Sequence, residues 1–416
     1  MKKIILLTLL ALLCFSLFAV PTAKSLFFAD SYMLRANGVE ALYWNPAKLA
    51  IHQHIDLWLP ALNSGIQISN NSLDLDTYNY FVTQDTLSTQ DKELILNKID
   101  GSISVDGSAS VSVFGITLGN TAISSSAHMY GKGELSKDFL LLAFYGNTEE
   151  EYVFTKANNN ASLISYVDLT YGAGDFKIPF IPENYPQIKA GFAASLLAGV
   201  QSIDTQEFDL HFSSTMEEGA NLHSEVLLRS GVGGMGFKGL LGMYSEITPW
   251  LEAGITVDNV LGAINWNIAN EVRRFSASAD SVYISNIEED IVQTSNEKEK
   301  IGSFTTKLGT EMRLAALYKH PIVTVSADWV QGFSESTVSS KVGRLSLGAG
   351  FLPVPYLPVS VGISLPNSRH PVKVSYGVGI KSKGNEFNLA LQSFDSLVPG
   401  YKSKGFSFGV ATRIWF

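Results

Sequence analysis

The sequence predicts an all-β membrane protein: a fourteen-stranded antiparallel transmembrane β-barrel with an N-terminal plug, or hatch, and helices in its outer loops. Three observations carry that prediction. The chain ends on a strand with one lipid-compatible face, it begins with a secretory leader, and between them apolar residues alternate with small or polar ones.

The terminal strand is the strongest of the three. Over 405–416, one face is Phe406, Phe408, Val410, Thr412, Ile414 and Phe416, and the other is Gly405, Ser407, Gly409, Ala411, Arg413 and Trp415. Successive side chains of a strand point to opposite faces. Lipid outside a barrel and a polar lumen inside demand this contrast. The terminal Phe416, with Ile414, resembles the C-terminal signal that outer-membrane barrels present to their assembly machinery.

The N-terminus sets the compartment. Met1-Lys2-Lys3 is a short basic region, and residues 4–20 are apolar but for Thr8 and Ser16. This is a secretory signal, too short and wrongly flanked for a membrane anchor. Cleavage is expected after Ala19 or Ala23, which makes residues 1–23 the signal peptide. Cys14, the one cysteine, falls within it, and the large Leu13 before it argues against a lipoprotein anchor. The mature chain then has no disulfide framework. No second run of about 18 apolar residues follows, so no membrane helix is expected. The formal charge is −9, and losing two leader lysines makes the mature chain more negative. That excludes nucleic acid as a partner. The length would suffice for two soluble domains, but the repeated alternation favours one barrel over 53–416, a monomer in a bacterial outer membrane.

Read backwards from the C-terminus, the pattern recurs at 386–394, 372–380, 357–365, 342–352 and 322–330. Val374, Tyr376 and Val378 alternate with Lys373, Ser375 and Gly377, and Leu345, Leu347 and Phe351 with Arg344, Ser346 and Gly350. Further strands are expected near 301–317, 250–263, 221–246, 188–213, 161–174, 121–131, 108–118 and 54–69. Short turns fall at Gly119-Asn120, Thr248-Pro249, His320-Pro321, 353–355 and 382–385. Long polar connections at 70–107, 132–160 and 267–300 alternate with them, as periplasmic turns alternate with outer loops.

Two of the long connections carry helical signals. Ser88 with Asp91 opens like a capping box, and Leu94, Ile95 and Ile99 follow at helical spacing. Ser136 precedes Phe139, Leu140, Leu142 and Phe144, and Gly146-Asn147 supplies a stop. A wall strand is the competing reading for that second segment. As a helix, its four large apolar side chains would line an outer apolar groove.

Ahead of the first strand, residues 24–52 are neither leader nor wall. Leu42, Tyr43, Trp44 and Leu49 are buried-type residues, and Asn45 before Pro46 suits a helix start. An aromatic-rich segment in front of a barrel finds its burial in the lumen. Gly38-Val-Glu-Ala-Leu-Tyr-Trp-Asn-Pro-Ala-Lys-Leu-Ala50 resembles the N-terminal signature of the FadL-type outer-membrane transporters of hydrophobic compounds and of the related PorV-like proteins. The resemblance implies a fourteen-stranded barrel with a hatch at 24–52. It carries the hatch motif onto Asn45, Pro46 and Ala47, with Trp44 from the aromatic pair and Glu40 as the acidic residue. Lys48 stands where that family usually has glycine.

The expected function is uptake of hydrophobic compounds such as long-chain fatty acids, by diffusion through a hatch-gated barrel. The alternative is a PorV-like component of a protein export system. The expected partners are hydrophobic small molecules, membrane lipid and the assembly machinery. Inward-facing Arg344, Lys373 and Arg413 are candidate anchors for a carboxylate. Other motifs are weaker. The glycines of 229–236 have dinucleotide-fingerprint spacing but no βαβ context, so a crowded wall explains them better. His52 and His54 lack a third ligand nearby. No nucleophile motif singles out a serine, and neither an enzyme, a cofactor nor a metal is expected.

Overall fold

The computed structural model describes residues 23–49 and 55–416, apart from residues 85, 148–150, 180, 183, 216, 284–291, 355, 368 and 369. Residues 1–22 of the expected 1–23 leader, and His52 and His54, lie outside the described residues.

Eighteen strand segments among the described residues close into a ring of fourteen antiparallel wall strands. The first wall strand is β1 (Asp56–Trp58) with β2 (Asn63–Asn70), broken at 59–62. β3 (Ser102–Leu118) and β4 (Thr121–Ser136) follow, then β5 (Glu151–Thr155) continued by β6 (Asn160–Lys177). Next come β7 (Ile188–Thr215), β8 (Gly219–Thr248) and β9 (Leu251–Val282). β10 (Gln293–Lys300), β11 (Phe304–Lys307) and β12 (Glu311–Lys319) all pair with β9 and make one interrupted strand. β13 (Val323–Gly332), β14 (Arg344–Val354), β15 (Leu357–Ser364), β16 (Lys373–Lys381), β17 (Asn385–Phe394) and β18 (Gly405–Trp415) complete the wall. β18 pairs with β1 and β2, which closes the ring.

The alternation seen in the sequence is the barrel's inside and outside. Phe387, Leu389, Phe406 and Phe408 are exposed on the outer face, whereas Ser375, Gln392 and Ser407 between such residues are fully buried inward. Closure leaves the paired wall strands with no open sheet edge, which lipid requires.

The expected strand count holds, but several boundaries do not. Of the connection expected at 267–300, residues 267–282 and 293–300 are strand: Lys300 pairs with Glu271 and Gln293 with Ser278. This hairpin stands above the lipid and has water on both faces, so no alternation marks it. The strand expected at 301–317 is interrupted at 301–303 and 308–310, and the strand expected at 54–69 at 59–62. β3 and β4 extend into the expected loops at 70–107 and 132–160; Ile103, Ser104 and Val105 are all buried there, so no alternation marks the extension of β3.

The hatch lies inside the ring. It comprises short 3-10 turns at Ala23–Phe28, Gly38–Glu40 and Pro46–Lys48, and a single helical turn, α1 (Ala41–Trp44). Three helices stand outside the membrane. α2 (Leu75–Thr83) starts at Asp74, whose side chain accepts from the Thr77 amide at 2.8 Å. It was not expected, although Leu75, Tyr78 and Val82 have helical spacing. α3 (Thr89–Asn97) opens with the anticipated capping box of Ser88 and Asp91. α4 (Lys137–Tyr145) settles the second helical signal in favour of helix. Ser136 precedes it, but its hydroxyl donates to Asn159 Oδ1 at 3.2 Å, and Gly146 ends the helix at φ +71°. Leu140 and Phe144 pack with Phe81, Ile95 and Ile99 over the outward side of β3 at Ile103 and Val105.

Candidate functional site: the hatch and the lumen

Asn45, Pro46 and Ala47 form the lower bend of the hatch. Asn45 is extended, with φ −156° and ψ 95°, and its Oδ1 accepts from the Ala47 amide at 3.2 Å. Proline fixes the next dihedral and biases the residue before it away from helix. The wall is shaped to this bend by glycine. A Cβ on Gly174 would meet the Pro46 carbonyl, one on Gly191 the Ala47 backbone, and one on Gly242 the Asn45 side chain. Across the lumen, Gly362 and Gly377 admit Phe28 and Phe27 in the same way.

Polar bonds hold the hatch against both sides. Toward β4 and β6, the Tyr43 hydroxyl donates to Asp168 Oδ1 at 3.1 Å and lies 2.7 Å from Ser124 Oγ. His128 Nε2 lies 3.1 Å from the other Asp168 oxygen, and all three wall residues are buried. Toward β9, Lys48 donates to Glu252 at 2.5 Å and to the Leu34 carbonyl. The lysine in the usual glycine position is therefore a buried anchor. Within the hatch, Tyr32 donates to Glu40, and Trp44 packs edge-on against Tyr32 with ring centroids 5.6 Å apart.

Toward the short strands, Asp328 accepts from Ser31 Oγ at 2.9 Å and from the Met33 amide at 3.0 Å. Arg35 donates to Ser326, to Thr324 and to the Gly348 carbonyl, with its guanidinium over Phe28. Lys373 donates to Asp30, with Arg344 3.5 Å from the same carboxylate. Arg413 donates to Asp56 through two bonds of 3.0 and 2.8 Å, and to Asn37. The three candidate carboxylate anchors do face inward. Lys373 and Arg413, however, already hold carboxylates of the chain itself, while Arg344 also lines open space.

That space is a cavity of about 180 Å³ on top of the hatch, with Asp30 and Trp44 in its floor and Glu311, Arg313, Arg344 and His370 around it. Beside it, on the inner face of β6, β7, β9 and β11, is a buried apolar cluster: Ile164, Tyr166, Leu197, Ile264, Trp266 and Leu308, with Phe304 packed on it. The wall is irregular there. Residues 259–262 of β9 and 308–310 opposite do not pair in register, and Asn259, Leu261 and Gly309 have φ of +54°, +56° and +68°. Leu261 points outward and is 83% exposed. The outer loop at 333–343 folds over the cavity, where Lys132 donates to the Ser336 carbonyl at 2.6 Å and Ser336 Oγ to the Leu308 carbonyl at 3.1 Å.

The outer helix has a different role from the one expected. Leu140 and Phe144 are buried in the helical cap, and Phe139 packs against Phe154 with centroids 5.8 Å apart. They build the cap's core and not an open groove. Burial alone would raise the Asp74 carboxyl at the start of α2. Hydrogen bonds from Lys98 and Thr77, with the Lys98 charge, instead hold it below its ordinary range. At the chain's end, Ile414 pairs with Leu57, and Phe416 is largely exposed, its amide donating to the Ile55 carbonyl at 3.1 Å. The glycines of 229–236 lie in β8, where a Cβ on Gly231 would press on Phe304 at 2.8 Å, so crowding accounts for them.

Sequence reasoning missed the wall residues that receive the hatch: Asp168, Glu252, Asp328 and the glycine seats. A signal is present, since glycine recurs at inward positions, but a small, polar inner face does not by itself say which glycines seat the hatch.

No family model and no curated protein sequence matches the chain. Among solved structures it is similar to the Ralstonia pickettii toluene transporter TbuX, at 12% identity and TM-score 0.48, covering 92% of this chain and 95% of that one. It is similar to a Pseudomonas aeruginosa FadL homologue at 11% identity and TM-score 0.47, covering 96% and 98%. It is also similar to the Pseudomonas putida toluene transporter TodX at 11% identity and TM-score 0.45, covering 90% and 92%.

Proposed function

We infer that this chain is an outer-membrane channel for the uptake of hydrophobic compounds, long-chain fatty acids among them, with residues 24–52 as its gate. The observation that carries the reading is the buried apolar cluster around Trp266 and Leu308 on the inner wall, set beside a break in that wall. A polar lumen alone would need no such cluster. An apolar site with a few polar groups at its edge is the usual form of a small-molecule pocket.

In this reading a compound enters beneath the loop at 333–343. Its chain rests among Ile264, Trp266 and Leu308, and an acidic head meets Arg344 or Arg313 in the cavity. The hatch blocks the straight path to the periplasm. The break at 259–262 and 308–310 is the side exit, because the outward side chain there, Leu261, is set to meet lipid. Diffusion down a gradient needs no energy source and no chemistry at the barrel.

The test is uptake of a labelled long-chain fatty acid by cells holding matched amounts of folded barrel. The parent should take it up. Asn45→Ala with Pro46→Ala should leave the barrel folded, because its stability lies in the closed ladder, but should lower uptake. Unchanged uptake in the double variant would refute the gate. No uptake by the parent would refute the channel and favour the export-component alternative.

A further inference from the structure

One apolar cavity near the wall is not in the lumen. It is a cleft of about 450 Å³ on the outer surface, where the wall meets the helical cap. Its floor is Ile68 of β2, Phe406 of β18 and Leu391 of β17; Leu75 and Tyr78 of α2 form one side, and Pro399 of the last outer loop the other. That the floor faces outward follows from register. Ile68 pairs with Phe406, and Gln67 beside Ile68 lines the lumen cavity. Leu391 and Phe406 are exposed, whereas Gln392 and Ser407 next to them are buried inward.

We propose that this cleft binds an acyl chain of a membrane lipid from the outer leaflet. The argument is continuity with the surface already in lipid. The floor is the top of a column that runs down the barrel: Phe408 pairs with Ile66 on one side and Leu391 on the other, and Leu389 continues the same outward face two residues below, opposite Val410. An acyl chain lying along that column reaches the cleft without crossing water. The walls are formed by residues 73–78 and 399–400, which stand above the strands and would otherwise hold apolar side chains against solvent. Leu75, Leu391 and Phe406 all remain between 40% and 47% exposed in the protein alone. A cleft of this size and lining takes the terminal part of one aliphatic chain. The consequence is a helical cap that clasps one lipid and so fixes its own tilt on the barrel. The inference is independent of what passes through the lumen.

The test uses the full-length barrel in vesicles of phosphatidylethanolamine and phosphatidylglycerol, doped with phosphatidylethanolamine carrying a diazirine at its acyl terminus. After illumination, adducts should appear on peptides holding residues 73–78 and 399–400, as well as on the belt around Ile66 and Phe408. Gly400→Phe should fill the cleft, since an added Cβ there meets nothing within 4 Å. It should cut the upper adducts by about tenfold, a change of about 1.4 kcal/mol in binding, and leave the belt adducts unchanged. Leu75→Asp, at an exposed first helical residue, is the second variant, and heat-modifiable migration confirms that each barrel is folded. Adducts on the belt alone, or upper adducts that survive both variants, overturn the proposal. So does labelling of the cleft by a diazirine free fatty acid but not by the lipid, which would make it a site for a soluble amphiphile.

Discussion

On one side of this barrel, β13 to β18 are 8 to 11 residues long and end with the membrane. On the other, β7, β8 and β9 run for 28, 30 and 32 residues, about three times the 9–11 residues that a spanning strand needs. The short side spends its inner face on the hatch, through Asp328, Lys373 and Gln392. The tall side holds the hatch only near its lower end, at Gly191, Gly242 and Glu252. Above that it builds an apolar core of its own around Trp266. The contrast separates anchoring from packing: one half spends its inner face on the hatch, and the other packs an apolar core of its own and carries the break in the wall.

That division can be broken by mutation. The largest effect is expected on the anchoring side. Lys373→Met leaves Asp30 buried with Arg344, 3.5 Å away, as its closest cation, a change of a kind that costs about 3–5 kcal/mol. Limited proteolysis should then cut residues 24–35 in a barrel that still migrates as folded, and adding Asp30→Asn should restore protection. A hatch that stays resistant in Lys373→Met would move the anchor elsewhere.

Trp266→Ala tests the tall side. It removes a fully buried ring whose Nε1 donates to Thr306 at 3.0 Å, and such truncations cost about 3 kcal/mol or more. The loss should stay local, with faster hydrogen exchange in 231–236 and 264–270 and none at the hatch. Exposure of the hatch as well would mean that the two sides are one unit.

Phe416→Ser is expected to lower the yield of assembled barrel severalfold while leaving the assembled fraction as stable as the parent. Phe416 is largely exposed and adds little packing, so a melting shift comparable to that of Lys373→Met would contradict a role confined to assembly. The smallest effects belong to the cap. Ser88→Ala removes one side of a capping box and should cost about 1 kcal/mol, read as faster exchange in α3 alone. Asp74 titrates lower in the folded cap than in the unfolded chain. Its contribution is therefore present above the ordinary carboxylate range and is lost as pH falls through the folded value, so α2 should loosen in acid.

The same contrast explains what could be read from the sequence. In β13 to β18, lipid lies on one face and the hatch or lumen on the other, so Val374, Tyr376 and Val378 alternate cleanly with Lys373, Ser375 and Gly377. Above the membrane, both faces of β9 and β10 meet water, and a run such as Gln293–Lys300, exposed throughout, reads as loop. The hatch could be located because Tyr43-Trp44-Asn45-Pro46 needs burial and a bend. Its partners could not, because Asp168, Glu252 and Asp328 are single polar residues among many on inward faces. Only the closed ring brings them within reach of residues 24–49.

The hatch bonds also constrain the order in which this protein can be made. Ser31 reaches Ser326 across 295 residues, and Asn37 meets Arg413 across 376. Contacts so distant in sequence cannot contribute until the intervening chain is in place, and loops of that length make their formation slow. The hatch, which precedes every wall strand in the chain, is thus among the last segments to find its bonds. The glycine seats leave no room for a finished hatch to slide in afterwards past Pro46 and Ala47. The expected order is therefore that the wall wraps around the hatch as the final strands join, with residues 24–49 serving as a mandrel for closure. During pulse-chase assembly, protease resistance of the hatch should appear together with heat-modifiability, never before it.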